Sequence, residues 1–250
     1  MNILLRFLRS LFGIYAGLCW VFGLIILIPF YFLVFKTFGK QAPYYAHRIS
    51  RLWAKMLFVL ILIRVNIKNK EFIERKKTYV FISNHQSLLD IPLFALSCKN
   101  TFRFLSKAEL AKIPLFGYIL RKLYITVNRT DKADKMKSIE AMKKSIGEGI
   151  SVFLCPEGTR NKTERPLLNF KNGAFVLAVE TKTPLAVLTI INSKKLLSPL
   201  QLVQLSPGTI HAVWSKPIET IGMTKEDIPH LKEMAKEIML QNLSEYENGK

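Results

Sequence analysis

Residues 79–98 read YVFISNHQSLLDIPLFALSC, and the order of these side chains decides the fold. Tyr79–Ser83 form a short aromatic and β-branched run of the length of a buried strand, entered from the basic turn at Lys76 and Lys77. From Ser87 onward, SLLDIPLFALSC has helical length, with apolar residues on more than one face. Between the two stand Asn84, His85 and Gln86, too polar for either element. A strand that turns directly into a helix is the unit of α/β architecture, and such folds gather reactive side chains in the loops at strand ends.

The unit recurs along the chain. RVNIKN (64–69) alternates as a strand does, while FRFLSK (102–107) and LYITVNR (123–129) read as strands around a helical segment near 108–122. DKADKMKSIEAMKKSIGEG (131–149) is an amphipathic helix with Ile139, Met142 and Ile146 at core spacing, closed by Gly147 or Gly149. SVFLC (151–155) and PLAVLTI (184–190) are buried strands on either side of the helix NGAFVLAVETK (172–182). TIHAVWS (209–215) reads as an edge strand, and Thr224 with Asp227 as a capping box opening a last charged helix. The expectation is an α/β fold: a mixed, largely parallel sheet flanked by helices and preceded by an apolar, membrane-anchoring helical segment.

That leading segment is Ser10–Phe35, 26 residues without a charge. As a helix it would run ~39 Å, more than the ~30 Å of a hydrocarbon core. It is also too long for a cleaved signal peptide, so retention is expected. A second apolar stretch, 52–63, follows a polar connection holding Pro43, His47, Arg48 and Arg51. Arg6 and Arg9 precede the first run and Lys36 and Lys40 follow it, so basic flanks on both sides give no orientation. Pro29 is a place for a break or kink. A single span and a hairpin dipping into one leaflet both fit. The expected division is residues 1–63 as anchoring helices and 64–250 as a catalytic domain.

Bulk composition narrows the partners. The net charge is +19, from 37 Lys and Arg against 18 Asp and Glu, with half the residues hydrophobic and a mean hydropathy of +0.19. Such a chain favours a polyanion: nucleic acid, an anionic membrane or phosphorylated substrates. The aromatics cluster in apolar runs rather than among the cations and no nucleic-acid module is recognisable, so no nucleic-acid partner is expected. Cys19, Cys98 and Cys155 are widely spaced with no CxxC pair, which fits a reducing compartment.

His85 and Asp90 are the first candidates for chemistry. On one regular helix, five residues at about 100° each would hold them about 140° apart. With His85 in the strand-to-helix turn and the helix starting near Ser87, Asp90 can accept the Nδ1–H and leave Nε2 as a general base. The alternative is plain capping, with Asp90 favouring the positive end of the helix. No GxSxG elbow exists, and Ser83 and Ser87 lack an elbow's glycines, so a dyad here suits a substrate that brings its own hydroxyl. CPEGTR (155–160) follows a strand, with Gly158 letting backbone amides approach a ligand and Arg160 able to grip a phosphate. FKNGA (170–174) adds Lys171 at a helix start. Lys107 and Arg129 are further cations near strand ends.

Taken together, NHQSLLD, then KAEL with IPLFG and VNR, then CPEGTR, FKNGA and TPLAVLTI resemble, in order, the blocks of the 1-acyl-sn-glycerol-3-phosphate acyltransferase family. The resemblance covers about residues 64–215. It departs at Cys155, where the family has phenylalanine, and at Leu188, where a second proline is common. It implies acyl transfer from a thioester, acyl-coenzyme A or acyl-carrier protein, to the sn-2 hydroxyl of lysophosphatidic acid. Another lysolipid or glycerol 3-phosphate is the alternative acceptor. His85 and Asp90 would be the catalytic dyad. Lys107, Arg129 and Arg160 would bind the acceptor phosphate, while Glu157 and Gly158 would shape the loop and the oxyanion site. No metal or other cofactor is implied. The expected location is the cytoplasmic face of an inner membrane.

Overall fold

Alternation within one strand sets the two faces of the sheet. In the computed structural model, which describes residues 3–128 and 130–249, strand β2 (Val80–Ser83) is fully buried at its centre. Successive side chains of a strand point to opposite faces. Accordingly Phe81 joins Phe94, Phe102, Phe153 and Trp214 on one side, whereas Val80 and Ile82 join Met142, Phe175, Leu231 and Met239 on the other.

In chain order the elements are α1 (Ile3–Thr37), α2 (Ala42–Leu60), β1 (Ile63–Lys68), β2, α3 (Asp90–Ser97), β3 (Phe102–Lys107), α4 (Phe116–Leu123), β4 (Ile125–Val127), α5 (Lys132–Gly147), β5 (Ser151–Leu154), α6 (Gly173–Glu180), β6 (Leu185–Ile191), α7 (Ser193–Leu196), β7 (Gly208–Trp214) and α8 (Ile228–Asn248). The seven strands lie in the order β1-β7-β6-β2-β5-β3-β4. Five of them, β6, β2, β5, β3 and β4, run parallel, and β7 turns against β6 and carries β1 with it. The mixed, largely parallel sheet flanked by helices is therefore as expected.

Several local expectations need correction. TIHAVWS is not an edge strand: β7 is enclosed between β1 and β6, and β1 forms the edge. Its half-buried alternation has another cause, because α8 lies over the outer face, with Tyr246 against His211 at 4.8 Å between rings. The helix expected from Ser87 starts at Asp90, leaving Asn84–Leu89 as an irregular turn. The segment 108–122 splits at Pro114 into a 3-10 turn, Ala108–Lys112, and α4, with Leu115 at a φ of 63° between them. The capping box holds: the Thr224 amide donates to Asp227 Oδ2 at 2.7 Å.

The amino-terminal region folds as a helical hairpin. α1 continues through Pro29 without a break for 35 residues, and the chain then turns over Phe38–Gln41 into α2. Trp20 packs edge-on against Trp53, and Tyr31 shares a 2.7 Å hydrogen bond with Ser50, a pairing that fixes the two helices antiparallel. α2 turns Leu57, Phe58 and Ile61 into the same core as Phe81 and Trp214. Gly13 seats α1 on the loop after α7, where an added Cβ would collide with the Val203 carbonyl. The outer face of α1 finds no such cover, and only 11% of its most apolar 18-residue window is buried. A helix so long and so apolar on the outside associates with a membrane.

Candidate active site

Because β6, β2, β5, β3 and β4 are parallel, the loops after β2, β3 and β5 meet at one edge of the sheet. Asn84 pins the first of them. Its side-chain amide donates to the Ile190 carbonyl at 2.8 Å and its carbonyl accepts the Ile190 amide at 2.7 Å, so the end of β2 is clamped to β6. The next residue, His85, is thereby held just beyond the strand with its side chain 18% exposed.

His85 Nδ1 lies 2.8 Å from Asp90 Oδ2. The same oxygen accepts the amides of Gln86 at 2.7 Å and Ser87 at 2.8 Å. An oxygen that already accepts two N–H groups behaves as a carboxylate acceptor, so Nδ1 carries the proton and donates it. The Asp90 side chain is completely buried and sits in the first turn of α3, where the helix dipole favours its charge. His85 Nε2 has no hydrogen-bond partner among the described residues. The structure thus brings His85 and Asp90 together as a dyad whose outer nitrogen is free to take a proton.

Neither serine of the loop is available as a nucleophile. Ser83 Oγ donates to the Asn84 carbonyl at 3.0 Å, and Ser87 Oγ donates to the Leu197 carbonyl at 2.8 Å. The site can activate a hydroxyl but must be given one.

The loop after β5 is stitched to the dyad loop through main chain. Glu157 accepts the His85 amide on Oε1 at 2.9 Å and the Leu168 amide on Oε2 at 2.8 Å. In return, the Asn161 amide donates to the His85 carbonyl at 2.7 Å. Burial pushes the Glu157 carboxyl above its ordinary value, and the two amide donors pull it partway back. Gly158 has a φ of 72°, and the Lys171 side chain lies so close that a Cβ would meet its Cε and Nζ at 2.8 Å. Its own amide donates to the Cys155 carbonyl at 2.9 Å. Gly158 thus shapes the loop, with its amide turned inward to Cys155.

The expected phosphate-binding cations are placed unevenly. Arg160 is half-buried in the loop after β5, and its Nη1 is fully buried without a partner among the described residues. Lys107 closes β3 at the same edge and is exposed. Neither makes a salt bridge among the described residues. Arg129 lies outside the described residues. Exposed Leu88, Leu110, Ile113, Leu115 and Leu202 belong to the turns at this end and Ile91 to the first turn of α3, and the Leu205 amide ties this end to α1 through the Arg9 carbonyl at 3.2 Å. The dyad therefore opens amid apolar surface.

Reading the motifs missed the anchors. Asn84, Ser87 and Asn161 fix the loops without touching a reacting atom, and the closeness of Lys171 to Gly158 depends on a fold-back of the chain that no spacing reveals. The one available signal was a buried-strand end carrying asparagine, a residue that must find two partners once out of water.

A family model described as Acyltransferase matches residues 64–191. Among curated proteins, the chain is 30% identical over 212 residues to the Arabidopsis thaliana 1-acyl-sn-glycerol-3-phosphate acyltransferase LPAT1, chloroplastic, a match covering 83% of this chain and 58% of that protein. The corresponding Saccharomyces cerevisiae acyltransferase is 31% identical over 183 residues, covering 68% and 57%. The chain thus spans little more than half the length of the curated relatives it matches. The crystal structure of the 1-acyl-sn-glycerophosphate acyltransferase PlsC from Thermotoga maritima superposes with a TM-score of 0.79 at 23% identity, covering 99% of this chain and 98% of that one. That likeness is one of fold.

Proposed function

The chain belongs to the acyltransferase family, and from that premise we propose that it transfers a fatty acyl group from a thioester to the sn-2 hydroxyl of lysophosphatidic acid, giving phosphatidic acid. The observation that carries this reading is the dyad: His85 Nδ1 held at 2.8 Å by buried Asp90, with Nε2 unpartnered among the described residues and no serine in the loop left as a nucleophile. His85 takes the hydroxyl proton as the substrate oxygen attacks the thioester carbonyl. The ester bond forms, the carbon–sulfur bond breaks, and the proton passes to the departing thiolate. Asp90 orients the ring and stabilises the imidazolium between these steps.

Glu157 positions His85 through its amide. Arg160, with Lys107 and Arg129, receives the acceptor phosphate; the half-buried Arg160 and exposed Lys107, neither in a salt bridge among the described residues, support this assignment. The amide of Gly158 being committed to Cys155, the oxyanion falls to the neighbouring amides of Thr159 and Arg160, which have no backbone partner among the described residues. The reaction as written needs no metal or redox cofactor. Acyl-coenzyme A and acyl-carrier protein are both anionic donors suited to a chain of charge +19. Residues 1–63 would hold the protein to the bilayer and 64–250 would perform the transfer. The wide spacing of Cys19, Cys98 and Cys155, with no CxxC pair, supports a reducing face, the cytoplasmic side of an inner membrane.

The test is acyl transfer by the purified, detergent-solubilised chain to labelled lysophosphatidic acid, with both donors in parallel, beside His85→Ala. Phosphatidic acid formed by the parent, and at least ~10³-fold more slowly by a folded His85→Ala, is the expected result. A folded parent that gives no product with either donor removes the acceptor assignment; full activity in the variant removes the dyad.

A further inference from the structure

At the edge of the sheet opposite the dyad, the first turns of α2, the connection from β1 to β2 and the turn after α3 come together. They do so because β1 and β7 run against the five central strands, so β1 ends where β2 and β3 begin. Tyr44, Arg48, Arg51, Arg75 and Lys99 line a cleft of about 370 Å³ there. Four cations converge with no carboxylate among the lining side chains, and no salt bridge reaches any of them among the described residues.

Arg51 is the least exposed of the four cations, and its Nη1 is fully buried without a hydrogen-bond partner among the described residues. Burial lowers its guanidinium pKa; Cys98 and Tyr44 pull it partway back up, and the charges of Arg75 and Arg48 lower it again. Arg75 is fixed by donating from Nη2 to the Tyr44 hydroxyl at 2.8 Å, so at least one fork is held ready. A buried donor and repelling like charges both cost stability unless an anion answers them. The guanidinium fork matches the oxygens of a tetrahedral oxyanion.

We propose that this cleft is a second, non-catalytic binding site for a phosphate group, carried by an anionic lipid headgroup or by a soluble phosphorylated compound. Arg51 lies behind the exposed Arg48, Arg75 and Lys99 in the lining, so a compact oxyanion entering the cleft meets all four cations, whereas a flat acidic protein surface would meet only the exposed three. The site is apart from the acceptor phosphate position, which belongs to the opposite edge.

The experiment follows the melting temperature of the full chain in neutral detergent against inorganic pyrophosphate, with sodium chloride at matched ionic strength. It is repeated in phosphatidylcholine nanodiscs with and without phosphatidylglycerol. The parent is compared with Arg48→Gln/Arg75→Gln, with Lys99→Gln as a milder variant, and with His85→Ala. A rise of about 2–4 °C a few-fold above the dissociation constant is expected, growing with the logarithm of concentration thereafter. It should be lost in the double variant, reduced in Lys99→Gln and retained in His85→Ala. A rise with pyrophosphate alone names a soluble ligand; a rise with phosphatidylglycerol that pyrophosphate does not add to names the headgroup. An equal response to chloride, a response kept in the double variant, one lost in His85→Ala, or none from either source would overturn the proposal.

Discussion

Two histidines in this chain show how one side chain takes opposite roles from its surroundings. His85 is given a carboxylate for one nitrogen and open space for the other. His47 is sealed in: it is 1% exposed, its Nε2 lies 2.7 Å from the Phe102 carbonyl, and its Nδ1 is buried with no partner among the described residues. A carbonyl only accepts, so Nε2 carries the proton and Nδ1 is bare. Burial, with Arg51 adding repulsion, lowers the His47 pKa from 6.5 to about 3. The folded state therefore refuses a proton that the unfolded chain takes up. Stability is fully present above pH 6.5 and falls as the pH drops from there towards 3, by up to ~1.4 kcal/mol per unit. In His47→Gln, which keeps an N–H for Phe102, the stability curve measured in denaturant between pH 6.5 and 4 should be flatter by that slope. Parallel curves for parent and variant would show that His47 does not titrate on unfolding.

At the level of elements, the site is two loops joined by main-chain bonds, and Glu157 is the joint. Each carboxylate oxygen accepts one amide, from His85 and from Leu168. Glutamine has a single acceptor oxygen and would turn an N–H towards one of those donors. Glu157→Gln should cost ~1–3 kcal/mol for the unsatisfied amide and lower turnover more than it raises the KM for the acceptor, because it displaces the base rather than the phosphate ligands. Rescue of turnover by glutamine to the parent level would make Glu157 dispensable as an acceptor pair. This joint also marks how far the elements were legible in the sequence. Buried strands such as Tyr79–Ser83 and the capped helix at Thr224 announce themselves through side-chain periodicity and local hydrogen bonds, both properties of neighbours in the chain. The dyad was legible for the same reason, its members being five residues apart. One miss was set by a distant neighbour: α8, not solvent, lies over a face of β7 whose alternation reads as exposed. The other was local: the helix around 108–122 breaks where Pro114 removes a donor. The two bonds from Glu157 span 72 and 11 residues and leave no periodic trace.

For the molecule as a whole, the end of the sheet that carries the His85–Asp90 pair is also the end onto which α1 docks. Gly13 and Arg9 dock α1 onto the loop that follows α7, so the apolar outer face of the helix continues from the apolar turns around His85. In the proposed reaction, an acceptor with its acyl chain in a leaflet and its hydroxyl at the surface would meet the dyad without leaving the membrane. Phe22 is 59% exposed and Ile26 is 64% exposed, so both point away from the fold. Replacing either by lysine leaves the packing of α1 on α2 untouched but puts a charge where lipid would be, at a cost on the order of 2.5 kcal/mol at membrane depth. Ile26→Lys should keep the parent melting temperature in detergent, lose roughly 60-fold in partitioning to sedimented vesicles, and keep its rate on acceptor dispersed in detergent while losing rate on acceptor held in vesicles. If partitioning is unchanged, the outer face of α1 does not meet lipid at that depth, and delivery of substrate must run through another surface.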